Sequence, residues 1–402
     1  MKNIIFISKD ALCKKSLPIY GNSFWKTPNI DDLAKKGTVF NRHYTAGGST
    51  AMAFTSLALM KYCHESGRRD YKSETSLNGN TLFDKLYEDG YDCHIIWDDT
   101  YQPFANKHFL CEGEHTKIHN LHQIKQINTT HINGQFDDVS WDESESDKAI
   151  DLIREELTSI KTNSKRNYFI WMHLPHVLRG RQGYGSDIDL FDKIIGVARK
   201  LFGDENIFIS ADHGHMNGNK NKYHYGFDVG EGVACIPLIC PKINNLQKID
   251  FPTSTIQMYD IFMNHHVSKL EYVVACDTAY FAQPNRKIAI IKDNYKYCFD
   301  KKTKKEYLYD VVFDEHEDHN LVFPEFFDID RHLWYSTAQC FYYPDWHNAK
   351  EAFDYLKKIK NSLWKKGNAF EEAVNNFYDF IRRIRAKIRL RKPNKNICNN
   401  GK

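Results

Sequence analysis

Residues 206–215, Asn-Ile-Phe-Ile-Ser-Ala-Asp-His-Gly-His, constrain this chain more than any other stretch. Ile207, Phe208 and Ile209 form a short apolar run, bounded upstream by Gly203-Asp204 and downstream by Asp212-His213-Gly214. Such a run predicts a buried strand whose C-terminal end delivers a carboxylate and an imidazole into a loop. In open α/β sheets, ligands and ions collect at the carboxyl ends of strands, so an Asp-His pair there is placed to bind a metal. A solvated turn is the competing reading of that pair. Residues 3–8 supply a second apolar run, which ends at Lys9-Asp10 and so puts a second carboxylate at a strand end. Residues 44–50 then place the hydroxyls of Ser49 and Thr50 after Gly47-Gly48 and before an apolar, helix-compatible run, 51–60. Two acidic strand ends and a glycine-rich hydroxyl turn opening a helix fit a metal-activated nucleophile.

The same strand–helix rhythm runs through most of the chain. Pro28 suits the first turn of a helix in which Ile30, Leu33 and Ala34 recur at helical spacing until Gly37. Leu82, Phe83, Leu86 and Tyr87 predict a second amphipathic helix, stopped by Gly90 and followed by a strand at 93–97 with Asp98 at its end, read as structural. Further helices are expected at 147–160 and 190–201, and strands at 168–172 and 233–240, with Pro175 ending regular structure after the first of these. Residues 100–145 are polar and read as an irregular insertion over a sheet edge or the site. The alternation predicts a doubly wound, mostly parallel α/β sheet flanked by helices. Three strands within 287–312 predict a small antiparallel sheet, and the chain from 330 onward reads as helical. The expected division is therefore a catalytic core at 1–270, a small sheet at 271–325, a helical extension at 326–392 and a disordered tail at 393–402.

Composition narrows the function classes. With 402 residues, 42% hydrophobic and 27% charged, the chain has the make-up of a soluble globular protein. A net charge of +3 gives no global electrostatic case for nucleic acid. Ten cysteines occur without a C-x-x-C pair, which disfavours a zinc finger and favours reduced thiols. The N-terminal apolar run is too short for a secretion signal, and no apolar run reaches the roughly 20 residues needed to span a bilayer. A cytoplasmic protein is expected. One stretch qualifies that: Ala373, Phe377, Phe380, Ile381, Ile384 and Ile388 form a stripe amid seven Lys and Arg residues between 382 and 392. A basic amphipathic helix of this kind suits the anionic inner face of a membrane, and a solvated helix packed on the domain is the alternative.

Several of these residues, in this order and spacing, resemble the sulfatase branch of the alkaline phosphatase superfamily. They are 3–10, Thr27-Pro28-Asn29-Ile30-Asp31, Tyr44-Thr45-Ala46, Pro175-His176, Asp212-His213-Gly214, Ile236-Pro237-Leu238-Ile239, Lys296-Tyr297, Leu308-Tyr309-Asp310 and Asn320-Leu321. The resemblance covers about residues 1–322 and implies an alkaline phosphatase-like fold. Sulfatases of this branch carry Cys or Ser in a C-x-P-x-R pattern that becomes formylglycine; here Thr50 takes that slot, with Met52 and Phe54 where Pro and Arg belong. An unmodified threonine is closer to the phosphoglycerol and phosphoethanolamine transferases of the superfamily.

Asp10, Asp212, His213 and the Thr50 oxygen then make a ligand set for one divalent ion, zinc or manganese by preference, calcium or magnesium otherwise. Thr50 is the expected nucleophile, with Ser49 its competitor. His176 and His224 match positions where relatives place substrate-contacting groups and are expected to bind phosphate oxygens or protonate the leaving group; a hydrogen-bonded loop histidine is the competing account of each. Lys9 and His215 are further candidates for contact with an anionic substrate, a surface lysine being the plainer reading of Lys9. The resulting expectation is a phosphotransferase moving a phospho-substituent from a phosphodiester donor to a surface glycan or lipid acceptor. The alternatives are a soluble phosphodiester, phosphonate or sulfate-ester hydrolase and a catalytically dead binding module.

Overall fold

The computed structural model describes residues 3–66, 80–97, 116–120, 146–174, 180–216, 228–277, 287–301, 303–322, 326–328, 333–335 and 340–363. Its strands begin, in chain order, with β1 (Ile4–Lys9), β2 (Thr38–Phe40), β3 (His43–Tyr44), β4 (Tyr91–Trp97), β5 (Thr116–Asn120) and β6 (Asn167–Leu174). They continue with β7 (Ile207–Ala211), β8 (Cys235–Ile236), β9 (Leu238–Cys240), β10 (Lys248–Ile249) and β11 (Thr253–Ser254). Eight of these make one sheet in the order β10-β2-β9-β7-β1-β6-β4-β5. β1 pairs parallel with both β6 and β7, and β4 pairs parallel with β6 and β5. Only β9 is reversed, antiparallel to both β7 and β2. This is the mostly parallel α/β sheet that the strand–helix alternation predicts.

β1 shows why its sequence is apolar throughout rather than alternating. Ile5 and Ile7 are buried against the helices Pro28–Lys36, Ser146–Asn163 and Gly180–Phe202. Ile4 and Phe6 are buried on the other face, against Thr50–Leu59, Leu82–Glu88 and Met258–Asn264. A parallel strand covered on both faces has no solvent side to decorate with polar residues. The helix ends follow local chemistry. Pro28 opens its helix and the Gly37 amide closes it on Leu33 O at 2.8 Å. Thr81 and Asp84 exchange hydrogen bonds across the first turn of Leu82–Glu88, satisfying two amides that the helix itself leaves without partners.

Beyond the main sheet, β3 is flanked by β8 and β11 in a three-stranded sheet. The C-terminal sheet is an antiparallel meander of β12 (Val273–Cys276), β13 (Lys287–Lys292), β14 (Tyr295–Asp300) and β15 (Lys305–Asp310). Ala349 and Leu356, from the helix Trp346–Leu363, are buried in one cluster with Ile288, Ile290 and Tyr297 of that meander.

The structure departs from the sequence reading at several points, among them the helix read as 190–201, which begins at Gly180. Residues 100–145 contribute β5, an edge strand bonded to β4, whose Thr-Lys-Ile-His-Asn sequence holds one apolar residue and so gives little signal. The strand read as 168–172 runs on through His173 to Leu174. The strand read as 233–240 is a single helical turn, Glu231–Ala234, followed by β8 and β9 on either side of Pro237 and in different sheets; proline has no amide to continue a ladder. β12 adds a fourth strand to the small sheet. Residues from 326 form three short strands, Phe326–Asp328, Leu333–Tyr335 and Cys340–Tyr342, before any helix, in keeping with the β preference of aromatic residues. The basic stripe at 373–392, the tail at 393–402 and Asp98 lie outside the described residues. No described helix is long and apolar enough to cross a membrane.

Candidate metal centre and nucleophile

Because β1 and β7 are adjacent and parallel, with Lys9 opposite Ala211, the next residue of each strand emerges at the same edge of the sheet. Those residues are Asp10 and Asp212. The Asp10 amide donates to Leu174 O at 2.9 Å, tying the same point to β6. Ala11 follows with φ 54°, a left-handed conformation that costs a non-glycine residue about 1–2 kcal/mol. In that conformation its amide donates to Asp212 Oδ1 at 3.1 Å, and the His213 amide donates to the same oxygen at 2.7 Å. Two amides therefore hold Oδ1 and leave Oδ2 for the site.

His213 Nδ1 lies 2.9 Å from Gly214 O. A carbonyl only accepts, so Nδ1 carries a proton, and Nε2 is the ring atom turned toward the site. That nitrogen sits 3.5 Å from Asp10 Oδ1, 3.4 Å from Asp212 Oδ2 and 3.4 Å from Thr50 Oγ1. Neither carboxylate oxygen meets a hydrogen-bond donor among the described residues. All four side chains are buried, from 0% exposed at His213 to 4% at Asp212 and Thr50. Two buried carboxylate oxygens without a hydrogen-bond donor are costly, and a cation placed between them offsets that cost. The spacing fits one: ligand atoms about 2.0–2.2 Å from a tetrahedral ion lie about 3.3–3.6 Å apart. Asp10, Asp212 and His213 are accordingly the residues that could hold a metal, with Thr50 as the fourth donor.

Thr50 begins the helix Thr50–Leu59, whose first amides have no partner within the helix and favour an anion at that end. The approach to it is tight. A Cβ on Gly47 would stand 2.4 Å from Met52 Cβ, so only glycine lets the chain curl onto the first helical turn. Gly48 N bonds Cys276 O at 2.8 Å and Cys276 N bonds Ala46 O at 3.0 Å, which fixes the turn to β12. Ser49, the competing nucleophile, is also buried, but its Oγ has no hydrogen-bond partner among the described residues, whereas Thr50 Oγ1 is aimed at His213.

Met52 and Phe54, in the slots where the resemblance expects Pro and Arg, are core residues. Phe54 packs edge-on to Trp171, His173 and Trp97 at ring separations of 4.5, 4.7 and 5.1 Å. Lys9 is 1% exposed at the end of β1, which excludes the solvated surface lysine, and His215 is buried as well. His176 and His224 lie outside the described residues. His173, which sequence marks only as a weaker candidate near the proposed ligands, is a neighbour of the site. His173 Nδ1 is 2.8 Å from Ser8 Oγ, which itself accepts the Trp171 indole N–H at 2.8 Å, and the ring stacks on Trp97. Burial above all pushes its pKa down to about 3, with Asp10 opposing and His213 and Lys9 adding to the shift. The only available signal was its two-residue spacing from Trp171 on the same strand face.

Comparison with known proteins points to one family. The sulfatase family model matches residues 2–235. Over 116 residues, 28% of the chain, the sequence is 27% identical to an N-acetylglucosamine-6-O-sulfatase of Bacteroides thetaiotaomicron. Over 157 residues, 38% of the chain, it is 28% identical to an arylsulfatase of Clostridium perfringens. These matches span 21% and 32% of the two relatives' own lengths. The phosphonate monoester hydrolase of Agrobacterium radiobacter has a similar fold, with a TM-score of 0.60 at 14% identity over 80% of this chain and 91% of that one.

Proposed function

This chain belongs to the sulfatase family, and from that premise we propose that it cleaves a phosphodiester or phosphonate ester with Thr50 as nucleophile. The observation that carries this reading is the convergence of Thr50 Oγ1 with Asp10, Asp212 and His213 at 3.4–3.5 Å. Threonine is the decisive residue type. Oxidation at its β-carbon gives a ketone, so the aldehyde of formylglycine cannot form at this position, and the hydroxyl itself must act.

In the first step a bond forms between Thr50 Oγ1 and phosphorus while the ester P–O bond breaks; the hydroxyl proton leaves and the departing alkoxide takes one up. In the second, the oxygen of water or of an acceptor hydroxyl bonds phosphorus, the Thr50 ester breaks, and Thr50 regains its proton. A divalent ion held by Asp10, Asp212 and His213 would supply the positive charge that lowers the hydroxyl's pKa and offsets charge on the phosphoryl oxygens. Two carboxylates, an imidazole and a hydroxyl suit zinc or manganese better than calcium. The helix N-terminus at Thr50 orients the anionic group. Transfer to a glycan or lipid hydroxyl and hydrolysis by water share every residue named here and differ only in what excludes water from the second step.

Sulfate-ester hydrolysis is the second reading, favoured by the names of the two curated relatives. The test is intact mass of the metal-loaded protein after incubation with bis(4-nitrophenyl) phosphate, a 4-nitrophenyl phosphonate ester or 4-nitrophenyl sulfate, wild type beside Thr50→Ala. A phosphorus-containing adduct lost in the variant supports the threonine intermediate. Turnover of the sulfate ester alone favours the second reading, and full activity in Thr50→Ala would sink the nucleophile assignment under both.

A further inference from the structure

Lys296 lies in β14 of the C-terminal sheet and is 0% exposed. Its ammonium is 2.9 Å from Glu231 Oε1 and 3.0 Å from Glu317 Oε1. Glu317 Oε2 accepts the backbone amide of Glu231 at 3.0 Å, and Glu231 Oε2 is 3.3 Å from the Tyr44 hydroxyl. One cation thus fixes both the side chain of Glu231 and, through Glu317, its backbone.

Glu231 opens the single turn Glu231–Ala234, and that turn stands between the two halves of the site. Val233 O accepts the Gly214 amide at 2.8 Å, next to His213, and Ala234 O accepts the Thr45 amide at 2.9 Å, at the start of the turn that carries Thr50. The fit leaves no slack. A Cβ on Gly214 would come within 2.1 Å of Gly232 O, so the metal-ligand loop and the turn touch backbone to backbone. Displacing the turn therefore shifts His213 and Thr50 relative to each other.

We infer that Lys296 is a positioning residue. As a buried cation from the C-terminal sheet, it locks the Glu231–Ala234 turn and so sets the separation between the metal ligand His213 and the nucleophile Thr50. In its metal-related part this rests on the site described under Proposed function. Neither Glu231 nor Lys296 reaches the metal ligands directly, so a purely structural part in the core is the rival explanation. A second, partly exposed ionic clamp remote from the site serves as the control. Arg199 pairs with Asp32 and Asp204, and Asp204 lies ahead of the first residue of β7, at the sheet edge away from the site.

The experiment compares the full chain carrying Lys296→Met with wild type and with Arg199→Met. Two readouts are taken below the melting temperature of every variant: backbone hydrogen exchange of the metal-free protein, and calorimetric titration with Mn²⁺ or Zn²⁺. Lys296→Met is expected to speed exchange at 43–50 and 212–216 at least tenfold while β4 and β6 stay protected, and to weaken ion binding at least tenfold. Arg199→Met is expected to do neither. Unchanged exchange at those segments, or a rise spread evenly over the sheet and matched by Arg199→Met, overturns the positioning role. Local loosening in a protein whose wild type takes up no divalent ion leaves the clamp standing and overturns the metal site instead. Should Lys296→Met fail to fold, Glu317→Gln keeps the Lys296–Glu231 pair and weakens the hold of residue 317 on Lys296 and on the Glu231 amide. It is then expected to loosen the same two segments by a smaller factor, and no loosening there counts against the inference.

Discussion

Two clusters of buried charge lie on either side of the Glu231–Ala234 turn, and they balance that charge in opposite ways. Around Lys296 each carboxylate has a cation within 3.0 Å. Burial alone would raise the Glu231 carboxyl, but Lys296, Lys14 and Arg42 outweigh it and hold Glu231 below the usual range. Around His213, Asp10 Oδ1 and Asp212 Oδ2 face Nε2 at 3.4–3.5 Å, and neither carboxylate oxygen has a hydrogen-bond partner among the described residues. Both clusters are almost wholly dry. The first is electrostatically complete as folded. The second leaves two carboxylate oxygens without a donor, as a site able to hold a cation would, and that contrast distinguishes the two clusters more clearly than burial or residue type does.

The largest expected effect comes from the open cluster. Thr50→Ala should lower turnover of the best phosphodiester or phosphonate substrate by at least about 10⁴-fold, as loss of a nucleophile does elsewhere, while the melting temperature shifts little. Steady-state rates beside a thermal melt decide it; a modest rate loss would mean the hydroxyl is a ligand or a bystander. In the closed cluster, Lys296→Met should destabilise the fold by about 3–5 kcal/mol, because it strands two carboxylates in a dry interior. Denaturant unfolding measures that, and a loss below about 1 kcal/mol would show that water or Lys14 compensates.

Asp212→Asn sharpens the contrast, because the two clusters should respond to loss of a charge with opposite signs. The amide oxygen can still accept from the Ala11 and His213 amides, and its new N–H₂ replaces the Oδ2 that faces His213 Nε2. The metal-free variant should melt higher than wild type, yet bind Mn²⁺ or Zn²⁺ at least about a hundredfold more weakly, beyond the 10–100-fold that outer-shell changes alone cause. A lower melting temperature in the metal-free variant would mean that Oδ2 already has a partner the geometry does not reveal.

Individual residues show how far this was legible in sequence. The runs before Asp10 and Asp212 stand out because strands covered on both faces read as unbroken apolar stretches. Thr50 stands out because two glycines precede a helical pattern. What sequence does not encode locally is pairing: β1 and β7 are about 200 residues apart, and only their register puts Asp10 beside Asp212. Lys296 could be singled out by resemblance, but its partners lie 65 positions away at Glu231 and beyond β15 at Glu317. His173 reads only as a weaker candidate because Pro175 suggests an earlier strand end, while parallel pairing with β1 carries the ladder to Leu174. β5 has almost no apolar pattern to find, since its order comes from backbone bonds to β4.

His43 gives the smallest expected effect and a third answer to the same problem. It is 0% exposed, its Nδ1 is 3.0 Å from Thr253 Oγ1, and its Nε2 has no hydrogen-bond partner among the described residues. Here the group neither pairs nor waits for a cation but sheds its charge: burial pushes its pKa from 6.5 down to about 3. Below pH 6.5 the unfolded chain takes up a proton at His43 that the folded chain refuses, so the stabilisation is present at neutral pH and declines as pH falls toward 3. At pH 5 the loss should reach about 2 kcal/mol, from about 1.5 pH units at 1.36 kcal/mol each. His43→Asn keeps a polar group facing Thr253 and removes the titration. Urea unfolding at pH 7 and pH 5 should therefore show a drop about 2 kcal/mol smaller in the variant than in wild type. Equal drops in both proteins would mean that His43 accepts the proton when folded, and that its dry pocket opens to water well above pH 3.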